Sequence, residues 1–165
     1  MRKMALGILL VAGGALVSSA LAMTVKEHVE SLKSSGKPLV FDIDHGMYTC
    51  SSCEPEVKVK ANGDSFKVSG HADYDAIVVV VKSPSEVRVV EQHGGKNRAF
   101  YSYSVSPDGK TLTVRFSDYS GPKEKGGMYT ARRVGAAPAG AHATSGSWQI
   151  EEVSETEKGE GASHR

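Results

Sequence analysis

The chain is 165 residues long, the length of about one domain. Lys+Arg 20 against Asp+Glu 19 leaves a formal charge of +1, without the basic excess of a nucleic-acid-binding protein or the acidic surplus of a solvating tail. Two cysteines are too few for a disulfide-stapled mini-domain or a zinc module built on cysteine alone.

Residues 1–22 read as a signal peptide. Arg2 and Lys3 form a positive start, Leu6 to Val17 an apolar stretch, and Ala20-Leu21-Ala22 a small-x-small cleavage pattern. The apolar run is shorter than the ~20 residues a bilayer crossing needs, and Gly7, Gly13 and Gly14 interrupt it. Cleavage is expected after Ala22. No Cys follows to carry a lipid, and no later segment is apolar enough to span a membrane. The expected location is outside the cytoplasm, periplasmic or secreted, where a disulfide persists.

Residues 23–36 carry a helix pattern. Thr24 and Glu27 have capping-box spacing, and Val25, His28, Val29 and Leu32 share one helical face. Gly36 and Pro38 end it.

From residue 37 to 134 the period is two. Phe41 and Ile43, Val57 and Val59, Phe66 and Val68, and Leu112, Val114 and Phe116 each alternate with polar residues. Asn62-Gly63-Asp64 reads as a hairpin turn. Ile77 to Val81 is apolar throughout, which predicts a strand covered on both faces or at the sheet centre. Val87, Val89 and Val90 mark another strand, Phe100 to Val105 the next, and Met128 to Val134 the last. Pro107-Asp108-Gly109-Lys110 is a strong turn, and Asp118 to Gly127 a longer loop. Seven or eight short strands at this spacing predict a mainly β protein, an antiparallel up-and-down meander closed as a barrel or left as a curled sheet, with one short N-terminal helix. Residues 135–146 are Ala/Gly-rich and read as a linker. Residues 147–153, with Trp148 and Ile150, read as a lone strand, and residues 154–165 as a disordered tail.

Several phrases occur together: Gly46-Met-Tyr-Thr-Cys50-Ser-Ser-Cys53, Val59-Lys60-Ala61 before Asn62-Gly63, Val68-Ser-Gly70-His71 with Tyr74-Asp75, and Val105 to Phe116. The stretch Ala139-Gly140-Ala141-His142 running to Ser145-Gly146-Ser147-Trp148 completes the set. As a set they resemble a loosely defined group of exported bacterial lipocalin-like (calycin-type) β-barrel proteins of uncharacterised function. The resemblance covers about Phe41 to Val153 and implies a lipocalin-like fold and an exported location; it brings no activity and no catalytic residues. Members often open with a Gly-x-Trp strand, whose place the Val25–Ser35 helix takes here. Members often continue into a second related copy, so the Trp148 strand reads as a truncated second copy or, in place of the Gly-x-Trp strand, as the strand that closes the barrel.

Cys50-Ser-Ser-Cys53 is the sharpest local feature. It lies in a strand-and-turn context rather than at a helix N-terminus, which favours a local structural disulfide between Cys50 and Cys53. Redox exchange is a second reading, and metal handling, with His45 and His71 the nearest further ligands, is a third. Tyr101 and Tyr103 share one strand face and are the candidate ligand-facing residues, against ordinary packing. His71 with Asp73 and Asp75 lies near no nucleophile elbow, and Gly121 and Gly126-Gly127 sit in no phosphate-binding context. Lys123, Lys125, Arg132 and Arg133 read as a solvated basic cluster. No catalytic residue, metal or cofactor is expected. The sequence therefore points to a non-enzymatic, exported module holding a small apolar or amphipathic ligand in the barrel mouth. The alternatives are a cell-envelope thiol–disulfide or metal-handling protein using Cys50 and Cys53, and an interaction domain offering an open sheet edge to a partner.

Overall fold

The computed structural model describes residues 23–157; the expected signal segment (1–22) and residues 158–165 of the expected tail lie outside the described residues. Helix α1, Val25–Ser35, forms where the apolar face predicts it. Its first turn is closed by Thr24, whose hydroxyl accepts the Glu27 N–H at 3.2 Å. Its last turn is closed by Gly36, held at φ 68°, whose N–H donates to the Lys33 carbonyl.

Ten strands follow: β1 (Leu39–Asp44), β2 (Met47–Cys50), β3 (Val57–Lys60), β4 (Asn62–Lys67), β5 (Ala76–Ser83), β6 (Glu86–His93), β7 (Lys96–Val105), β8 (Thr111–Asp118), β9 (Lys125–Val134) and β10 (Gly146–Glu157). They form a single antiparallel sheet in the order β3-β2-β1-β10-β9-β8-β7-β6-β5-β4. Around the wall the strands keep chain order, and β10 returns to pair with β1. The two sheet edges, β3 and β4, are consecutive in the chain with Ala61 between them. The sheet is thus a nearly closed barrel whose seam is bridged by the chain itself. The predicted mainly β meander is present, with ten strands in place of seven or eight.

Alternation drives the closure. Inward positions of most strands are apolar or aromatic, so those strands bury one face against the others; β4 is exposed apart from half-buried Phe66. Val57, Val59, Ile77, Val79, Leu112, Val114 and Phe116 are all buried, and Phe66 and Val68 pack partly against the same core. Helix α1 lies across one end of the barrel, where Val25 and Val29 join that core.

Five expectations change. The Trp148 strand is neither lone nor separable: Trp148 is 0% exposed, and β10 pairs with β9 along its length and with β1 at Leu39, Val40 and Phe41. It supplies the closing strand, pairing with β1 on the side that β2 leaves open. Residues 135–146 are not a plain linker, since Thr144, Ser145 and Gly146 are buried. The strand continues to Glu157, through residues assigned to a disordered tail. Asn62-Gly63-Asp64 does not make a hairpin, because β3 pairs only with β2 and β4 only with β5. There the Asn62 side chain accepts the Asp64 N–H at 3.0 Å, a local turn that starts β4 with a register shift. Finally, Ile77 to Val81 is not covered on both faces: Ile77 and Val79 are buried, Val78 and Val80 only half-buried, and Val81 is 42% exposed.

Candidate functional site

The barrel lumen is filled. Tyr101 and Tyr103 point inward, each 8% exposed, among Phe41, Tyr48, Tyr129 and Trp148. Phe41 and Tyr103 have ring centroids 5.3 Å apart, and Tyr101 and Tyr103 6.1 Å. Burial pushes both tyrosine hydroxyls well above their ordinary range. The two share one strand face, and core side chains pack against them on it.

At the helix-covered end the core turns polar. Asp118, 2% exposed, accepts the Val25 N–H at 2.9 Å through Oδ2 and the Ser120 N–H at 2.8 Å through Oδ1. It thereby caps α1 from 93 residues away, a contact local spacing cannot reveal. Beside it the Tyr101 hydroxyl donates to Glu91 at 2.9 Å, and burial raises the Glu91 carboxyl to about 7. Arg98 ties this end shut by pairing with Asp73 and donating to the Met23 carbonyl.

The opposite end is closed by residues 135–145. His142 bonds the Ser83 carbonyl and the Thr144 hydroxyl through its two ring nitrogens, and the Trp148 indole donates to the Thr144 carbonyl. Both mouths of the barrel are therefore occupied by the chain.

Cys50 and Cys53 are bonded to each other. Cys50 is 1% exposed and belongs to the core, while Ser52 between them holds β1 by accepting the Val40 N–H and donating to its carbonyl. A buried sulfur in a strand end is a poor target for an incoming thiolate. His45 pairs with Asp44, and His71 stacks on Tyr74. Among the described residues no group of three or more His, Cys, Asp and Glu side chains could hold a metal ion.

The open concavity lies on the outer wall, across β6 to β10. It has a volume of about 650 Å³, within the ~300–1,000 Å³ of small-molecule sites. Strand register explains its make-up. Arg88, Ser102, Arg115, Met128 and Ser154 are direct neighbours across five strands, forming one outward row. The next row is Val90, Phe100, Ser117, Gly126 and Thr156. Tyr119 stands over Phe100 edge-on at 5.8 Å. Gly126 has no side chain and leaves the wall low between Ser117 and Thr156. Gly127, facing inward, lets the Phe116 ring reach the wall; a Cβ there would overlap that ring and the Ser154 carbonyl. Tyr101 and Phe116 thus border the groove, while Tyr103 does not.

Sequence reading missed this site. Gly126-Gly127 stands in no phosphate-binding context, and the loop expected over Asp118 to Gly127 gives way to β9 at Lys125. Paired glycines inside a strand run are instead a mark of close backbone approach. A smaller cavity near Arg132 and Arg133 is bordered by groups already engaged: Arg132 pairs with Glu151, and Arg133 donates to three carbonyls.

No family model, no curated protein and no solved structure matches this chain. Its function is argued from the groove.

Proposed function

We propose that this protein is an exported, non-enzymatic, lipocalin-like binding module, and that it holds a small amphipathic ligand in the outer-wall groove rather than in the lumen. The observation that carries the reading is the contrast between the two spaces. The lumen is packed with core side chains, whereas the groove is open and joins aromatic and thioether surface to polar groups. Phe100 and Tyr119 strengthen it: both line the groove, and their rings meet edge-on at 5.8 Å to give it an apolar side. The signal-type segment at residues 1–22 and the Cys50–Cys53 bond support export.

The test is a titration of ¹⁵N-labelled protein with 1-octanol and, separately, with octanoate. Saturable shifts are expected at Phe100, Ser102 and Met128 with at least one of the two. Phe100→Ala should weaken binding several-fold. Shifts confined to lumen residues such as Tyr103, or no saturable shift with either probe, would overturn the reading.

A further inference from the structure

We infer that the polar end of the ligand is an oxyanion, seated between Arg88 and Arg115; this rests on the groove being the binding site. The described chain holds five arginines. Arg98 is paired with Asp73, Arg132 with Glu151, and Arg133 donates to three carbonyls. Arg88 and Arg115 have no ion-pair or hydrogen-bond partner among the described residues, and both are exposed in the groove. They flank Ser102 in the same row, which sets their strands two sheet spacings, about 10 Å, apart. Two long guanidinium side chains facing across one serine can close on a single small anion, and the planar fork suits a carboxylate or a phosphate monoester.

The hydroxyls around them sharpen the choice. Ser102 donates to Glu86, Ser154 to the Met128 carbonyl, and Thr156 to the Gly126 carbonyl. Those hydrogens are committed, so the groove's strong uncommitted donors are the guanidinium groups. A ligand group that accepts hydrogen bonds and carries negative charge matches them, whereas a cationic headgroup would meet two like charges. Glu86 lies one row away, and Ser102 already engages it. The apolar strip of Phe100 and Tyr119 begins one row further along the strands, so the ligand lies along them, anion on the arginine row and apolar body beyond. The concavity has the volume of a single-molecule site, which favours a free amphiphile over a bilayer surface.

Three eight-carbon probes test this: octanoate, 1-octanol and octylammonium, titrated by isothermal calorimetry and ¹⁵N shifts at low salt. Octanoate should bind at least about tenfold more tightly than octanol, and octylammonium not at all. Arg88→Gln with Arg115→Gln should bring octanoate down to the affinity that octanol shows for the same variant. Both arginines are exposed, and unchanged thermal unfolding would confirm that the variant is folded. Equal binding of octanoate and octanol at the groove would overturn the anion inference and leave the binding reading intact. No binding of either would overturn both. Sedimentation of the protein with phosphatidylglycerol vesicles, abolished in the double variant, would replace the free amphiphile by a membrane surface and overturn the inference.

Discussion

The Arg133 guanidinium lies 4.1 Å from the centre of the Trp148 ring and donates to the carbonyls of Gly109, Ala143 and Ser145. One side chain thus joins the β7–β8 turn, the 135–145 crossover and the closing strand at one end of the barrel. The cation over an indole face contributes roughly 0.5–2 kcal/mol, and the three carbonyls add to it. The basic residue read as part of a solvated cluster is a structural clamp.

Removing the closing strand should therefore unfold the domain. A chain ending at Val134 loses Trp148 and Ile150 from the core and leaves β1 and β9 unpaired along the facing sides. The expected result is loss of the cooperative thermal transition. Trp148→Ala in the full chain should cost about 3–5 kcal/mol in denaturant unfolding. A truncated chain that stays folded would show β10 to be dispensable.

Glu91 predicts a pH dependence. Its carboxyl is raised from 4.5 in the unfolded chain to about 7 in the folded one, chiefly by burial. Between those values the folded state holds a proton that the unfolded state has lost, so stability falls as pH rises from about 4.5 to about 7 and is level above. Glu91→Gln keeps an acceptor for the Tyr101 hydroxyl and removes the titration. The variant should exceed the parent by on the order of 1–3 kcal/mol at pH 8, with the gain vanishing below pH 4.5. Unfolding curves at pH 4 and pH 8 check it, and parallel pH profiles for the two proteins would contradict it.

Gly127 and Phe116 should be energetically coupled. Gly127→Ala places a methyl group into the Phe116 ring and the Ser154 carbonyl, and should cost about 1–3 kcal/mol. Phe116→Leu relieves the ring clash, so the double variant should be less destabilised than the sum of the singles. Strict additivity in a double-mutant cycle would show that the carbonyl alone sets the cost.

The Cys50–Cys53 bond closes a very short ring. Replacing both with Ser should lower stability by about 2 kcal/mol from loop entropy, with a further cost for the polar atom at buried position 50. The oxidised protein should not speed disulfide exchange in a reduced peptide. Exchange that disappears in the double-serine variant would restore the redox reading.

By itself the sequence determined what local chemistry controls. The period-two alternation in residues 37–134 specified strands and their buried faces, because a strand's side-chain direction follows from its own backbone. Thr24, Val25, Val29 and Gly36 specified the helix and its ends in the same way. Their spacing placed Tyr101 and Tyr103 on one strand face, without saying which side of the sheet that face is on. Only the tertiary structure decided what those faces meet. Whether the lumen is empty depends on how Phe41, Tyr48, Tyr129 and Trp148 fill it from distant strands. Whether Trp148 stands apart or closes the barrel depends on β1 lacking any other partner, a fact of topology rather than composition. The groove was illegible for the same reason. Arg88, Ser102, Arg115, Met128 and Ser154 lie 66 positions apart end to end, and they form one row only because the strand registers align them.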